Sequence, residues 1–319
     1  MLKSIYWEIA SKCNLSCKHC YNGENLSKDS VFDREKSLET VELLSFCNIQ
    51  NVFITGGEPL LNENLFFILE KCYDKGISPS ILTNGTLIND FASSEFHKTG
   101  VKTVQISLDG VGKNHELIRG KDTFDKIGFA IDSLRKYNVP VILKTTITEH
   151  NKDNLGDVVR YSNDRKVTIK FSLAQEIGNT EKNQVMISPK DYFNLFLKLY
   201  SLKKQGNQLT LPDFAMEEYL NNEKISSKCG AGRDLAVITF DNKLLPCPFM
   251  GGIGLSRENL EESNRDNLIN YQHIPIFERI TEENERYFDC PLRRRAYGGK
   301  DPYSIYSFID CLKNGTIQI

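Results

Sequence analysis

The 319-residue chain has no run of about 18 apolar residues, which excludes a transmembrane helix. It has almost no net charge, −2 at pH 7, so nothing electrostatic points to nucleic acid or a membrane surface as a partner. Its opening, M-L-K-S-I-Y-W-E-I-A, is too short and too polar for an export signal. Internal repeats and low-complexity tracts are also missing. The composition, 40% hydrophobic and 26% charged, is that of a globular protein long enough for one large domain and a smaller one. Without an export signal the expected compartment is the reducing cytoplasm, where clustered cysteines read as metal ligands before disulfides.

Nine cysteines are present. Three of them, Cys13, Cys17 and Cys20, stand in a C-x3-C-x2-C array within S-K-C-N-L-S-C-K-H-C-Y, a density of thiolates that suits a soft metal centre. Four thiolates would close a zinc site or fully ligate a cubane, whereas three leave one iron of a [4Fe–4S] cluster open for chemistry. Zinc with a distant fourth ligand is the alternative. Cys47 and Cys72 continue the apolar spacing of their neighbours and read as buried helix positions. The remaining four, Cys229, Cys247, Cys290 and Cys311, fall in the last third.

Strand-like runs begin near Ile5, Val52, Ile77, Val104, Val139 and Val167, separated by helix-period stretches at Arg34–Phe46, Asn64–Asp74, Asn89–His97, Phe124–Tyr137 and Asn154–Asn163. Such βα alternation predicts an α/β fold with a parallel, helix-covered sheet, and six units are too few to close an eight-stranded barrel. A partial (β/α)6 barrel over residues 1–175 is expected, with ligands at the C-terminal strand ends, where the cysteine loop falls. Residues 176–227 read as a bridge containing an amphipathic helix at Asp191–Leu202, and residues 228–319 as a small metal-stapled module.

Polar motifs follow the strands. Gly56, Gly57 and Glu58 end the second in I-T-G-G-E-P-L, where glycines let backbone approach a ligand closely. L-T-N-G-T carries Thr83, Asn84 and Gly85, and Q-I-S-L-D-G carries Ser107 and Asp109 ahead of His115 and Arg119. Thr145, Ser172 and Gln175 close the fifth and sixth runs, and are weaker candidates for facing a substrate or cofactor.

The cysteine array with Tyr21 beside it, taken with G-G-E one βα unit later, resembles the radical S-adenosylmethionine (radical SAM) enzymes. That resemblance implies a [4Fe–4S] cluster on Cys13, Cys17 and Cys20 that donates an electron to S-adenosylmethionine, and a 5′-deoxyadenosyl radical that abstracts a substrate hydrogen. It further implies cofactor contacts at Gly56, Gly57, Glu58, Tyr21, Asn84 and Ser107, with Asp109 and Arg119 as weaker ones. An external flavodoxin- or ferredoxin-type electron donor is implied too. The stretch S-L-D-G…H…R-G is similar to the peptide-modifying branch.

The segment from Cys229 to Cys247 reads as a β-hairpin turning at Asp241-Asn242 between two cysteines. It is similar to the opening of SPASM and Twitch auxiliary-cluster domains. D-C-P-L-R-R-R-A-Y-G-G-K resembles a SPASM pattern from which most cysteines are gone, with Tyr287, Ala296 and Lys300 in three of their places. The resemblance implies one auxiliary [4Fe–4S] cluster on Cys229, Cys247, Cys290 and Cys311, with a four-thiolate zinc site as the alternative. Sulfatase-maturing relatives carry an aspartate after an auxiliary cysteine, whereas Pro248 follows Cys247 here. The Arg293–Arg295 run is a candidate for meeting an acidic peptide.

The expected function is hydrogen abstraction from a ribosomally made peptide matured by oxidative crosslinking. The alternatives are a small-molecule dehydrogenase or epimerase acting on a sugar or aminocyclitol, peptide epimerisation, and an iron–sulfur or zinc protein without turnover. With twelve residues ahead of Cys13, no fused leader-recognition domain is expected. A peptide would then be recognised by a separate partner protein or by the catalytic domain itself.

Overall fold

The computed structural model describes residues 2–23, 26, 29–249, 262–286 and 290–318. Its centre is one nine-stranded sheet. In chain order the strands are β1 (Ser4–Ala10), β2 (Asn51–Gly56), β3 (Ser80–Thr83), β4 (Thr103–Ser107), β5 (Val141–Ile147), β6 (Thr168–Leu173), β7 (Leu209–Thr210), β8 (Leu235–Ile238) and β9 (Leu244–Leu245). Their order in the sheet is β7-β6-β5-β4-β3-β2-β1-β8-β9, and only the β8–β9 pair is antiparallel. Six successive βα units therefore build the parallel partial barrel expected from the alternation.

Period-two burial explains how the sheet is covered. Along β5, Leu143, Thr145 and Ile147 are buried while Ile142, Lys144 and Thr146 are half-buried; along β6, Ile169, Phe171 and Leu173 are buried while Thr168, Lys170 and Ser172 are half-buried. One face packs against the helices and the other lines the concave side of the sheet, here called the lumen. The helices lie close to their expected bounds, at Arg34–Phe46, Leu65–Asp74, Asp90–Lys98, Phe124–Lys136 and Leu155–Asp164. Asp33 and Asn89 cap two of them by accepting from the backbone of Lys36 and Ala92. Ile5, Trp7, Ile9, Ile54, Phe96, Ile106 and Leu134 are fully buried in the main core.

Three features depart from the sequence expectation. A helix at Lys113–Arg119 follows Q-I-S-L-D-G directly. The bridge contributes strand β7, which extends the sheet past β6, and its helix runs longer than expected, Pro189–Lys204. The C-terminal hairpin also joins the main sheet: β8 pairs in parallel with β1, Ser4 opposite Leu235 and Trp7 opposite Ile238. Its turn is as read, with Asn242 at φ 60°, a left-handed conformation that asparagine tolerates. Among the described residues, no helix is long and apolar enough to cross a membrane.

Candidate active site

β1 delivers the chain into the cysteine loop, and a second segment grips that loop from outside. The Asn179 side-chain amide donates to the Cys17 carbonyl at 3.0 Å and its backbone N–H to the Cys20 carbonyl at 2.9 Å. Thr180 Oγ1 donates to the His19 carbonyl at 3.1 Å, and the Asn183 amide to the Lys18 carbonyl at 2.8 Å. Four consecutive carbonyls are thus turned outward and satisfied, while the Cys17 and His19 side chains are buried. Gly178 makes this approach possible: at φ 59°, a Cβ there would lie 2.5 Å from the Tyr21 carbonyl.

The three thiols are electrostatically coupled to one another, and burial raises each of them, Cys20 up to about 11. Such thiols become good ligands only when a bound cation supplies the charge that keeps them as thiolates. Among the described residues no three His, Cys, Asp or Glu side chains gather closely enough to hold a single metal ion. The donor set, three coupled thiols on one loop beside a guanidinium, fits the open-cornered cluster that the motif implies.

Gly56, Gly57 and Glu58 buttress the cysteine loop. Gly57 N donates to the Ala10 carbonyl at 2.7 Å and Glu58 N to the Lys12 carbonyl at 2.8 Å. A Cβ on Gly57 would lie 2.3 Å from the Ser11 carbonyl oxygen and 2.4 Å from that of Lys12. Glycine at this position is therefore demanded by the loop backbone itself. Glu58 is fully buried and turned inward. Its carboxylate accepts from Thr83 Oγ1 at 2.7 Å and from the backbone N–H groups of Asn84 at 2.8 Å and Leu60 at 3.3 Å. Burial raises its carboxyl to about 7 against these bonds. Asn84 continues the chain of contacts, donating to Asn14 Oδ1 at 2.9 Å and reaching Cys13 Sγ at 3.8 Å.

Asp109 and Arg119, read as weaker cofactor contacts, are committed elsewhere in the structure. Asp109 is fully buried; its carboxylate accepts from Arg119 Nε at 2.5 Å and from the backbone N–H of Thr146 at 2.8 Å, with His19 Nε2 at 3.2 Å. Burial pushes this carboxyl up, but the charges of Arg119 and His19 outweigh it and hold it well below the usual range. Arg119 in turn lies 3.8 Å from Cys17 Sγ, so its guanidinium, held in place by Asp109, faces the thiol. His115 completes the cluster. Its Nδ1 accepts from the Asp109 N–H at 3.2 Å, and burial together with Arg119 lowers its imidazole to about 4.

The lumen holds the rest. Ser107 ends β4, half-buried, and its hydroxyl has no hydrogen-bond partner among the described residues. Tyr21 sits edge-on to Phe249 with ring centroids 5.2 Å apart, its hydroxyl 3.5 Å from Glu8 Oε1. Tyr6 stacks on Phe53 at 4.9 Å. Ser172 shares the half-buried face of β6, and Gln175 lies just beyond it, half-buried. Thr145 is buried and donates to the Leu108 carbonyl, so it belongs to the helix-facing side rather than the lumen.

The last-third cysteines divide. Cys229, Cys247 and Cys290 are electrostatically coupled, and Cys247 and Cys290 pack with Tyr6 and Phe249 against Ala231, Val237, Leu245 and Ile280. Burial raises Cys229 to about 11 although part of its surface stays exposed. Cys311 is not brought to this group. It lies on the helix Ile305–Lys313, one turn from Phe308, and that apolar stripe packs into the main core. Cys72 is buried as expected, while Cys47 sits just past the end of its helix and is half-buried. Of the arginine run, Arg293 is locked to Asp301 at 3.0 Å and Arg294 is buried; neither offers a free solvent-facing charge. Tyr287 lies outside the described residues, and Lys300 is exposed.

His19, Asn179, Thr180 and Asn183 were not singled out from the sequence. His19 lay in view inside the cysteine array. The other three look like ordinary loop and helix-start residues until the fold sets them against a loop some 160 positions away.

Comparison with known proteins agrees with this geometry. A pre-heme d1 synthase of Dinoroseobacter shibae is 29% identical over 187 residues, covering 56% of this chain and 45% of that protein. An AdoMet-dependent heme synthase of Methanosarcina barkeri is 22% identical over 95% of this chain and 96% of its own. Among solved structures, Streptococcus suis SuiB bound to precursor peptide SuiA superposes with a TM-score of 0.75 at 17% identity, covering 87% of this chain and 66% of SuiB. The structure of anSMEcpe with bound AdoMet gives 0.69 at 21% identity, covering 98% and 95%. The family model for the Radical SAM superfamily matches residues 7–163, the span from β1 through β5 and the helix after it, and this span is accordingly a radical SAM domain.

Proposed function

We propose that the protein is a radical SAM enzyme that takes hydrogen from a peptide and forms an oxidative crosslink in it. The observation that carries this reading is the second group of three coupled cysteines, Cys229, Cys247 and Cys290, of which Cys247 and Cys290 share a small apolar cluster with the lumen-wall residue Tyr6. A thiol group so close to the substrate space suits an auxiliary [4Fe–4S] cluster that accepts the second electron an oxidation must shed. With Cys311 elsewhere, such a cluster would have three ligands among the described residues. We read residues 228–319 as this reduced SPASM-type module, on a barrel of residues 1–175 joined through 176–227. The likeness to SuiB, which was solved bound to a precursor peptide, supports a peptide substrate.

When bound, S-adenosylmethionine and the first cluster supply one-electron cleavage of a sulfonium bond and the radical that takes the hydrogen. The chain's own residues do the rest. Cys13, Cys17 and Cys20 would hold that cluster; the Asp109–Arg119 pair fixes the charge beside Cys17. Ser107, Asn84 and the backbone of Gly56 and Gly57 stand where the cofactor would be oriented, and Tyr21, Tyr6 and Phe53 wall the lumen against water. A separate leader-recognition protein and an external electron donor complete the proposed system. A second reading is favoured by the heme synthase that matches nearly end to end, namely a tetrapyrrole or other small-molecule substrate.

One experiment separates the two. Reconstituted protein is incubated with S-adenosylmethionine and reductant, and either a peptide encoded beside its gene or an iron porphyrin. Loss of two hydrogens from the peptide supports crosslinking; one deuterium taken up from heavy water at unchanged hydrogen count means epimerisation. Turnover of the porphyrin alone overturns the peptide reading.

A further inference from the structure

The register of the sheet brings four polar side chains into one row across the lumen wall. Ser107 on β4 lies opposite Lys144 on β5, Lys144 opposite Lys170 on β6, and Lys170 opposite Thr210 on β7. All four are half-buried, on strands whose alternate residues are buried against the helices.

Two ammonium groups directly across a strand pair repel each other. Several other lysines of this chain meet carboxylates: Lys12 meets Asp29, Lys71 meets Glu70 and Asp74, Lys136 meets Asp90, Lys152 meets Glu149 and Asp191, and Lys203 meets Glu217. Lys144 and Lys170 have no ion pair and no side-chain hydrogen bond among the described residues. The carboxylate that does act on Lys144 at a distance, Asp109, is already bound to Arg119. A concave surface thus holds two uncompensated charges flanked by two hydroxyls, an arrangement complementary to an anion.

Position in the barrel narrows the source of that anion. The motifs fitted to the cluster and its cofactor end β1, β2, β3 and β4. Lys144 and Lys170 sit on the next two strands, facing the space left for the other reactant. We propose that Lys144 and Lys170 form a subsite that anchors a carboxylate of the substrate, an acidic side chain of the peptide. The inference rests on the reading of the lumen as a peptide site, and adds that the residue anchored beside the reacting one is acidic. Burial, followed by the charge of Lys170, lowers the Lys144 ammonium to about 8, as expected of a cation awaiting its counterion.

The test reads lysine charge without turnover. Lysines of the reconstituted holoenzyme are reductively methylated with carbon-13, which keeps their charge, and Lys144 is assigned with Lys144→Arg and titrated by NMR. The probes are N-acetyl-glutamate amide, its glutamine counterpart and S-adenosylmethionine. The glutamate probe should raise the Lys144 titration by about one unit or more, the effect of an opposite charge brought within contact. The glutamine probe should leave it unmoved. In Lys170→Met, whose folding is checked by circular dichroism and iron content, the glutamate response should shrink at least several-fold. If S-adenosylmethionine produces the shift and the glutamate probe does not, the pair serves the cofactor and the proposal is overturned. A Lys144 that responds to neither probe overturns it as well. The peptide reading itself stands or falls on the product mass, so the two failures are distinguishable.

Discussion

Removing the outer grip on the cysteine loop should loosen that loop selectively. In the triple variant Asn179→Ala, Thr180→Val, Asn183→Ala, the carbonyls of Cys17, His19 and Lys18 each lose a side-chain donor, at 3.0, 3.1 and 2.8 Å. A net hydrogen bond contributes about 1 kcal/mol, so the three together contribute about 3 kcal/mol, neighbours being only roughly additive. Backbone bonds survive, among them those from Asn179 N to the Cys20 carbonyl, from Lys18 N to the Ile118 carbonyl and from Glu58 N to the Lys12 carbonyl, so the loop is weakened but not released. Local opening should become roughly a hundredfold more frequent, since each 1.4 kcal/mol is a factor of about ten. Hydrogen exchange of the peptide spanning residues 11–22 would report this directly, with β4 and β5 as internal standards. Iron should also be lost faster to a chelator. Unchanged exchange in the loop, with exchange around residues 179–183 accelerated, would show that the grip is incidental and that the reasoning from satisfied carbonyls is wrong.

Other variants test the inner side of the site. Gly57→Ala forces a methyl against two backbone oxygens at 2.3 and 2.4 Å and should destabilise by about 1–3 kcal/mol or more in urea melts. The control Gly156→Ala, in a helix with nothing within 4 Å, should be neutral or slightly stabilising, and equal effects would refute the clash. Glu58 has its folded carboxyl raised from 4.5 to about 7, so the stability it contributes is full below pH 4.5 and lost as pH rises through 7. Relative to Glu58→Gln, the wild type should therefore lose up to about 3 kcal/mol across that window, and parallel stability curves would contradict the shift. Cys311→Ser should leave the iron content of reconstituted protein intact. Cys229→Ala, Cys247→Ala or Cys290→Ala should remove about half of roughly eight irons, and zinc found in their place would exclude the auxiliary cluster.

The parts legible in the sequence are those whose information is local. The cysteine loop, the glycines at the end of β2 and the βα alternation each declare themselves within a dozen residues, because period, thiol spacing and turn chemistry are short-range properties. Glu58 was visible as a motif residue, but its inward turn depends on Thr83 and Asn84 arriving from the next unit. The grip by Asn179, Thr180 and Asn183 and the Ser107–Lys144–Lys170–Thr210 row are fixed by tertiary register, which no single segment encodes. Counting cysteines placed Cys311 with its neighbours in sequence; helix amphipathicity, with Phe308 one turn away, sends it to the core instead. The hairpin was legible as a hairpin, while its docking on β1 depends on that strand offering a free edge.

The docking has a consequence for how the protein behaves in a crowded solution. A curved sheet that does not close must end somewhere, and a long bare edge strand is a template on which another chain can add itself. Here the two ends are β7 and β9, each two residues long. Without the hairpin, the seven-residue β1 would be the terminal strand, and its unpaired backbone would adjoin the loop that carries Cys13, Cys17 and Cys20. By seating β8 there, the chain pairs Ser4–Trp7, four of the seven residues of that border, and leaves the two-residue β9 as the terminal strand. The hairpin that leads to Cys247 thus also shortens the edge on which another copy could pair.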